Sequence, residues 1–330
     1  MSHTSGAQAF RRYCIVGGAG FIGSHFTDRL LEDSDIAEVT LYDNFSSGRE
    51  WHYEHHRSDP RLSIVRCDVG DLTALTSAIA GHDVVIHLAS NPDIARAANE
   101  PEIDFYQGTL LTNNVVEAMR RAGVRRLLYA SGSGVYGEIG ATEANEDLGP
   151  FVPVSTYGAS KLAGEALISS YCHMFGLSAR VFRFGNVVGP RQTHGVGLDF
   201  VRRLKADPLQ LRILGDGKQS KSYIHVYDVV AAVLCANAGE AAAFRAFNVA
   251  TGDYITVTEI ADLAVEVLGL KQAPQYRYTG GDRGWKGDVP VVRLNTDRIK
   301  SLGWKCERNC RQALGQSLLS LAGDERTNHE

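Results

Sequence analysis

The chain of 330 residues is predicted to form a doubly wound, parallel α/β sheet with a smaller, interleaved α/β lobe. Short β-branched runs alternate with longer helical patterns through the first half, and this alternation indicates a parallel sheet covered on both faces. A glycine-rich turn joins the first strand to the first helix. The regular alternation ends near residue 186. We therefore expect 1–185 to form the sheet domain, with 223–250 returning to it, and 186–330 to form mainly the second domain.

The elements follow from the apolar spacing. RRYCIVGG is a strand, and FIGSHFTDRLLED is a helix with Phe21, Ile22, Phe26, Leu30 and Leu31 on one face. Further strands are EVTLYD, LSIVRCD, HDVVIHLAS, VRRLLYAS and LSARVFRFGN. Further helices are DLTALTSAIAG, YQGTLLTNNVVEAMRRAG and STYGASKLAGEALISSYCHMFG, the last capped by Ser155 and ended by Gly176. Beyond residue 186, the loop-rich segments GPRQTHGVGLDF and ILGDGKQSKS indicate the smaller lobe.

Composition excludes several classes of partner. The net charge of −4 and the pI near 6.3 provide no basic surface for nucleic acid or an anionic membrane. Six scattered cysteines suggest free thiols in a reducing compartment. Cys306 and Cys310 lack a matching His or Cys cluster, so no metal site is expected. With no signal-peptide core and no apolar run of membrane length, we expect a soluble, cytoplasmic protein.

The first strand-to-helix turn has the pattern of a dinucleotide-binding loop. IVGGAGFIG places Gly17 for the tight turn, Gly20 for close approach of a pyrophosphate and Gly23 for helix–strand packing. Asp43 ends the second strand, where a carboxylate binds ribose hydroxyls and repels a 2′-phosphate. A Rossmann-type domain that prefers NAD over NADP is therefore predicted, the alternative being a glycine-rich turn with a solvent-facing Asp. Asp68 is expected to face the adenine with Val69, or to belong to a helix cap.

A second pattern is TYGASK, which places Tyr157 and Lys161 one helical turn apart on the same face. A surface Tyr and Lys on an amphipathic helix is the alternative. Together with GGAGFIG, LYDNFSSGR, HLASNPD, VYG, RFGNVVGPR, GDGKQSKSYIHVYD and RGWKGDV, the motif resembles the extended short-chain dehydrogenase/reductase family. Within that family the chain is similar to the NAD-dependent nucleotide-sugar epimerases and dehydratases, and most similar to the UDP-glucose (UDP-sugar) 4-epimerase group.

The resemblance implies a set of NAD contacts and a reaction. The implied cofactor-binding residues are Gly17, Gly20, Phe21, Ile22, Gly23, Asp43, Asn44, Ser46, Gly48, Asp68, Val69, Leu88, Ala89, Ser90, Tyr157 and Lys161. Lys161 and the charged nicotinamide would lower the pKa of Tyr157 toward neutrality. Tyr157 would take a proton from the sugar 4-hydroxyl as hydride passes to NAD. Rotation of the 4-keto sugar and return of the hydride would then invert C4.

The turn YASGSGVYG departs from the family pattern. Relatives carry a Ser or Thr hydroxyl at the position of Gly132, so Ser133, or else Ser131, is expected to supply it. Dehydratase relatives need an Asp–Glu pair at the equivalents of 133 and 134, decarboxylases need a Glu at 134, and reductase relatives use a Cys in this turn. The chain has Ser133 and Gly134, which favours epimerisation.

The resemblance also implies the sugar-nucleotide contacts. Asn186 and Lys221 would bind the diphosphate or sugar, Arg283 a phosphate, Asp288 the nucleotide ribose and Arg191 a C6 carboxylate. Ordinary surface solvation is the alternative for the basic residues. A UDP-sugar substrate is expected, with UDP-glucuronate 4-epimerase as the close alternative. A net dehydrogenase and a non-catalytic sensor of NAD or sugar nucleotide also stay open.

Relatives pair two long helices from each subunit, so a homodimer through a four-helix bundle is expected. The helices fall near 104–122 and 155–175. The candidates for their apolar faces are Val115, Val116, Met119, Leu162, Leu167 and Ile168, of which some must instead face the sheet.

Overall fold

A computed structural model describes residues 10–324 of the chain. The strands in this part are β1 (Arg12–Val16), β2 (Glu38–Asp43), β3 (Leu62–Arg66), β4 (Val84–His87), β5 (Arg126–Gly132), β6 (Glu143–Ala144), β7 (Ser178–Phe184), β8 (Asn186–Val188), β9 (Gln210–Ile213), β10 (Ser220–Lys221), β11 (Tyr223–His225), β12 (Phe244–Val249), β13 (Ile255–Thr256), β14 (Gln275–Tyr278) and β15 (Arg293–Leu294). The α-helices are α1 (Phe21–Leu31), α2 (Leu72–Ile79), α3 (Leu111–Ala122), α4 (Thr156–Phe175), α5 (Val196–Ala206), α6 (Val226–Gly239), α7 (Val257–Val267), α8 (Asp297–Lys300) and α9 (Cys310–Gly323).

Seven parallel strands form the central sheet in the order β12-β7-β5-β4-β1-β2-β3. The predicted doubly wound α/β fold is confirmed. The chain runs outward from β1 through β2 and β3, then crosses to the other side of β1 with β4. The carboxyl ends of β1 and β4 therefore flank the point where the strand order reverses, which is where ligands bind in open α/β sheets.

Each face of the sheet is covered by helices. Phe26 of α1, Val229 of α6 and Ile299 of α8 pack on one face, together with Trp304. Helices α2, α3 and α4 cover the other face. The buried residues that they contribute include Leu75, Val115, Val116, Met119 and Ile168. Four of the candidates for the apolar helix faces (Val115, Val116, Met119 and Ile168) are thus the ones that face the sheet, where they are fully buried.

The smaller lobe has a core of its own, built from α5, α7, α9 and the short strands beside them. Its buried side chains include Phe200, Val201, Leu204, Leu211, Ile260 and Leu314. Within the stretch expected to return to the sheet, β12 pairs with β7 and α6 packs against α1. Residues of 297–304, which were assigned to the second domain, also join the sheet core. The domain boundaries themselves stay a prediction.

Across residues 10–324, the helices are too short or too polar for any of them to span a lipid bilayer.

Candidate active site

The glycine loop lies between β1 and α1. Gly17 has φ +83°, and a Cβ there would lie 2.7 Å from the backbone nitrogen of Ala89. A Cβ on Gly23 would lie 2.6 Å from the carbonyl oxygens of Gly17 and Gly18. At Gly20, in contrast, a Cβ would meet only the Gly17 carbonyl oxygen, at 3.4 Å, and the residue lines a large cavity. Packing thus requires Gly17 and Gly23, whereas Gly20 keeps the approach to the α1 N-terminus open.

Asp43 joins the end of β2 to this loop. Its carboxylate accepts hydrogen bonds from the Ala19 amide at 2.9 Å and the Phe45 amide at 2.7 Å, and the residue is buried. Burial raises the pKa of Asp43, and the two amides oppose that shift. A Cβ on Gly48 would lie 2.8 Å from the Ala19 Cβ, so the segment after β2 also folds against the loop. Asp43 therefore holds the loop and also lines the cavity.

Asp68 and Asn44 border the cavity beside the end of β2, where the sequence predicts the adenine. The Asn44 side-chain amide donates to Asp68 at 2.7 Å, and the Gly70 amide donates to the same carboxylate at 2.7 Å. The helix-capping alternative for this acidic stretch belongs to Asp71, which accepts from the Thr73 and Ala74 amides. Asp68 therefore does not cap α2, and it lies on the cavity wall.

A cavity of about 1140 Å³ opens at the carboxyl ends of β1 and β4 and extends into the smaller lobe. The predicted cofactor residues on its wall are Gly17, Gly20, Phe21, Ile22, Asp43, Asn44, Ser46, Asp68, Val69, Leu88, Ala89, Ser90, Tyr157 and Lys161. Gly23 and Gly48 support it by packing. A close-approach glycine at a helix N-terminus and a buried carboxylate one strand away suit the pyrophosphate and ribose of a dinucleotide. The residues present therefore fit NAD.

Tyr157 and Lys161 lie at the first turns of α4, next to the end of β5. Ser155 caps this helix by accepting from the Gly158 amide at 3.0 Å, and Gly176 ends it with φ +69°, as predicted. The Lys161 Nζ lies 5.5 Å from the centroid of the Tyr157 ring and donates to the Ala130 carbonyl at 2.9 Å. Burial lowers the pKa of Lys161 to about 8, against the opposing charges of Asp104 and Glu165.

The protein groups by themselves leave the pKa of Tyr157 raised rather than lowered. Burial raises it to about 12, the charge of Asp104 raises it further, and the Ser90 side chain opposes both. Lys161 is bound to the Ala130 carbonyl and is not among the groups that lower the pKa. The lowering of this pKa by Lys161 together with the charged nicotinamide stays a prediction. Ser90, expected only near the nicotinamide, also borders the phenol.

The two serines after β5 have different surroundings. The Ser131 hydroxyl is buried and donates to Glu165 at 2.6 Å, and Glu165 forms a buried ion pair with Arg183 at 2.7 Å. Both serines border the cavity, but Ser133 begins a 3₁₀ turn, whereas the Ser131 hydroxyl is already bound to Glu165. The geometry favours Ser133 over Ser131 as the hydroxyl beside the substrate.

Gly132 lies between them in extended backbone, with φ −157° and ψ 162°. A Cβ there would meet only Cε1 of Tyr157, at 4.0 Å. Neither the backbone nor the packing requires glycine at this position, so Gly132 leaves open space beside the phenol.

Three of the predicted sugar-nucleotide residues come together at the other end of the cavity. Asn186, at the start of β8, Lys221 and Asp288 all line its wall. Lys221 forms an ion pair with Asp288, whose other oxygen accepts from the Gly284 amide at 3.0 Å. Lys221 thus faces the cavity with part of its charge already balanced.

The structure does not place Arg283 and Arg191 with them. The Arg283 guanidinium pairs with Glu138 at 2.8 Å and donates to the Asp288 carbonyl at 3.0 Å, outside the cavity lining. Arg191 has φ +66° and pairs with Asp28 of α1, and it donates to the His52 carbonyl at 2.7 Å. The expected role of Arg191 at a C6 carboxylate was wrong, because its guanidinium is held on the surface of the sheet domain. The Arg283 guanidinium, which was expected to bind a phosphate, is instead paired with Glu138.

Sequence reasoning missed two basic residues on α5. Arg202 and Arg203 line the cavity, and Arg203 pairs with Asp199 of the same helix at 2.7 Å. Adjacent arginines on an amphipathic helix carry little signal by themselves, because they are typical of a solvated helix face. Only the docking of α5 over the cavity shows that they border the site.

The doubly wound sheet, the glycine loop and the Tyr–Lys pair beside one cavity are together typical of a dinucleotide-dependent enzyme. The model of the NAD dependent epimerase/dehydratase family matches residues 13–250, and the chain belongs to that family. NAD is its cofactor.

Known proteins of that family match almost the whole chain. It is 33% identical to a UDP-glucose 4-epimerase of Mycolicibacterium smegmatis over 302 residues, which cover 89% of this chain and 93% of that protein. A solved Thermus thermophilus UDP-glucose 4-epimerase in complex with NAD is 29% identical, with a TM-score of 0.83, covering 94% of this chain and 99% of that one. A dTDP-glucose 4,6-dehydratase of Actinoplanes sp. is 32% identical over 295 residues, 84% of this chain and 89% of that protein. The likeness thus includes both epimerases and dehydratases.

Proposed function

We propose that the enzyme inverts C4 of a UDP-sugar of the UDP-glucose/UDP-galactose type through a transient 4-keto sugar. The proposal rests on the set of residues that line one cavity. Tyr157 and Ser133 lie at its reactive end, and Asn186, Lys221 and Asp288 lie where a sugar nucleotide would extend away from them. Two epimerases at 33% and 29% identity support the same reaction.

NAD, when bound, supplies the hydride acceptor and donor. The chain's own residues handle the proton. In the oxidation step Tyr157 would act as the phenolate and accept the proton of the sugar 4-hydroxyl, and in the re-reduction step it would return that proton to the 4-oxygen. Lys161, buried one helical turn away, would stabilise that phenolate. Ser133 would donate to the sugar 4-oxygen and hold it beside the phenol.

The turn after β5 argues for epimerisation over dehydration. Elimination of water from the sugar needs an acid and a base besides the tyrosine. Residues 131–134 are Ser-Gly-Ser-Gly, which offer hydroxyls and no titratable acid or base. The nearby Glu165 is buried and bound to Arg183 and Ser131. Oxidation and re-reduction at one carbon need only the tyrosine and the bound cofactor.

UDP-glucuronate 4-epimerase is the weaker alternative. Two partners were expected for a C6 carboxylate. Arg191 is paired with Asp28 outside the cavity lining, so only the Ser-Gly-Ser turn is left to bind it. A net dehydrogenase would release the keto sugar and exchange its cofactor, and a sensor of NAD or sugar nucleotide would bind without turnover.

We also propose a homodimer through the two long helices. Exposed apolar side chains lie on the turn that precedes α3, at Phe105 and Tyr106, and at the end of α4, at Met174 and Phe175. These exposed side chains are available to a four-helix interface.

The test is turnover without added cofactor. Purified protein is incubated separately with UDP-glucose, UDP-N-acetylglucosamine and UDP-glucuronate and followed by proton NMR. Conversion of UDP-glucose to its C4 epimer is expected, and conversion of UDP-glucuronate alone would favour the alternative. Tyr157→Phe should lose at least about 100-fold in kcat while it keeps bound NAD. Tyr171→Phe, on the same helix and hydrogen-bonded to Glu117, is the matched control that keeps activity. If all three substrates return unchanged while NAD is bound, the proposal fails.

A further inference from the structure

Three side chains with metal-binding atoms converge outside the cavity, on the surface of the sheet domain. Asp28 lies on α1, and His55 and His56 lie on a 3₁₀ turn after β2. The Nε2 atoms of His55 and His56 lie 2.8 and 2.9 Å from the same oxygen, Oδ1 of Asp28. Their three donor atoms all lie within 4.8 Å of one another.

We propose that Asp28, His55 and His56 form a binding site for a divalent transition-metal ion of the Zn²⁺ type. Two imidazole nitrogens and one carboxylate oxygen are ligands that Zn²⁺ accepts, with water as the fourth. Ligand bonds of about 2.0–2.1 Å in a tetrahedral site place ligand atoms about 3.3 Å apart. Each nitrogen would therefore move away from Oδ1 by about half an ångström, which is a small side-chain adjustment.

The surroundings of Asp28 favour this arrangement. Its second oxygen, Oδ2, is held by the Arg191 guanidinium, so Oδ1 is left for the two histidines. The same guanidinium donates to Nδ1 of His25 at 3.1 Å and to the His52 carbonyl at 2.7 Å. A fixed partner on the non-ligating oxygen is the usual means by which proteins orient a ligand carboxylate.

The site is also reachable from solvent. The side chain of His55 is 52% exposed, and those of His56 and Asp28 are each 21% exposed. Binding requires the two imidazoles to be neutral, with the Nε2 lone pair directed at the ion. A neutral imidazole keeps its proton on Nδ1 instead of Nε2, and an imidazolium releases one proton to solvent. The ion gains two nitrogen ligands and one oxygen ligand, with no change in oxidation state.

A bound ion would link parts of the chain that frame the cavity. Asp28 lies on the helix that follows the glycine loop. Its partner Arg191 is followed in the chain by Gln192 and, two residues later, His194, and both of these line the cavity wall. The 3₁₀ turn follows the segment that packs on the loop through Gly48. We therefore expect the ion to stabilise the folded protein without entering the active site.

The experiment is isothermal titration of the tag-free, NAD-loaded protein with Zn²⁺ and, separately, with Mg²⁺, which prefers oxygen ligands. Zn²⁺ should bind at one ion per chain and raise Tm, and Mg²⁺ should do neither. The His55→Ala/His56→Ala variant keeps the Asp28–Arg191 ion pair and should bind Zn²⁺ at least tenfold more weakly. His173→Ala, at the exposed end of α4, is the matched control and should bind as the unaltered protein does.

Co²⁺ provides a measurement that does not depend on a variant folding. A visible d–d spectrum of nitrogen and oxygen coordination supports the site, whereas a thiolate charge-transfer band would assign the ion to cysteine and overturn it. Equal Zn²⁺ affinity in the unaltered protein and the double variant would overturn it as well, as would the absence of saturable binding. None of these measurements uses turnover, so they stand apart from the proposed epimerase activity.

Discussion

Ser131 and Ser133 stand two residues apart, and the end of β5 directs their hydroxyls to different surroundings. In a continuous strand, residues i and i+2 face the same side. Ser131 obeys that rule and points with Tyr129 to the α4 side, where its hydroxyl donates a hydrogen bond to Glu165. The 3₁₀ turn that begins at Ser133 breaks the alternation and brings this residue to the cavity wall.

Substitution of each serine should have a distinct effect. Ser133→Ala should lower kcat about 10- to 100-fold, the loss of one hydrogen bond to a developing charge, with Tm unchanged. Ser131→Ala should leave kcat nearly unchanged and destabilise the fold by about 1–3 kcal/mol, because a buried carboxylate loses a donor. Steady-state kinetics and denaturant unfolding of both variants measure these effects.

A substitution at Gly132 provides the control for the Ser133→Ala prediction. Because a Cβ fits at this position, Gly132→Ser in the Ser133→Ala background adds a hydroxyl beside Tyr157 and should restore part of kcat. A normal kcat for Ser133→Ala alone would show that the tyrosine acts without this hydroxyl.

Lys161 makes stability depend on pH in a defined direction. Its pKa falls from 10.5 to about 8 on folding, so the unfolded chain binds more protons between these values. Stability should therefore rise as pH increases from about 8 to 10.5, by about 3 kcal/mol in total. Urea unfolding of the protein and of Lys161→Met at several pH values measures the difference. If the two curves stay parallel across this range, Lys161 is not the group responsible.

At the scale of elements, the turn between β1 and α1 combines two kinds of glycine. Gly17 is needed for the backbone, since it has positive φ and no room for a Cβ. Gly20 has φ −75° and an open surface toward the cavity, so the backbone does not require glycine there. We expect it to be needed for the close approach of the cofactor pyrophosphate. The same motif thus serves folding and cofactor binding through different residues.

Alanine at these two positions should separate the roles. Gly20→Ala should fold with nearly unchanged Tm and lose bound NAD, because the added methyl group occupies the approach to the α1 N-terminus. Gly17→Ala should lower Tm or abolish soluble expression, owing to its clash with the Ala89 backbone. The measurements are NAD absorbance of the purified protein and thermal unfolding. Full NAD occupancy in Gly20→Ala would refute the phosphate-cradle interpretation.

At the scale of the whole molecule, we propose that two copies of the chain form a dimer through the face that carries α3 and α4. Phe105 is 54% exposed there, and Leu319 on α9 is 60% exposed elsewhere. Phe105→Glu should convert a dimer to a monomer in light scattering, because it would bury a charge at the interface. Leu319→Glu is the matched control and should leave the dimer intact. A monomeric unaltered protein would exclude the interface.

The buried Arg183–Glu165 pair illustrates a part of the site that sequence could not provide. Arg183 on β7 and Glu165 on α4 meet below Ser131, with the Tyr136 hydroxyl also bound to Arg183 at 2.9 Å. Each residue belongs to an ordinary strand or helix pattern. Their meeting depends on how α4 lies across the sheet, and this contact gives the Ser131 hydroxyl a buried partner at the edge of the cavity.

The sequence by itself determined the sheet, the glycine loop, Asp43 and the Tyr157–Lys161 pair. These features follow from local periodicity and from spacing within one element, which the chain encodes in adjacent residues. The tertiary structure decided the partners of long, flexible side chains. Arg191 reaches Asp28 and Arg283 reaches Glu138, over separations of 163 and 145 residues. Such pairings depend on the positions of distant segments after packing, so the placement of charge around the cavity was settled only by the fold.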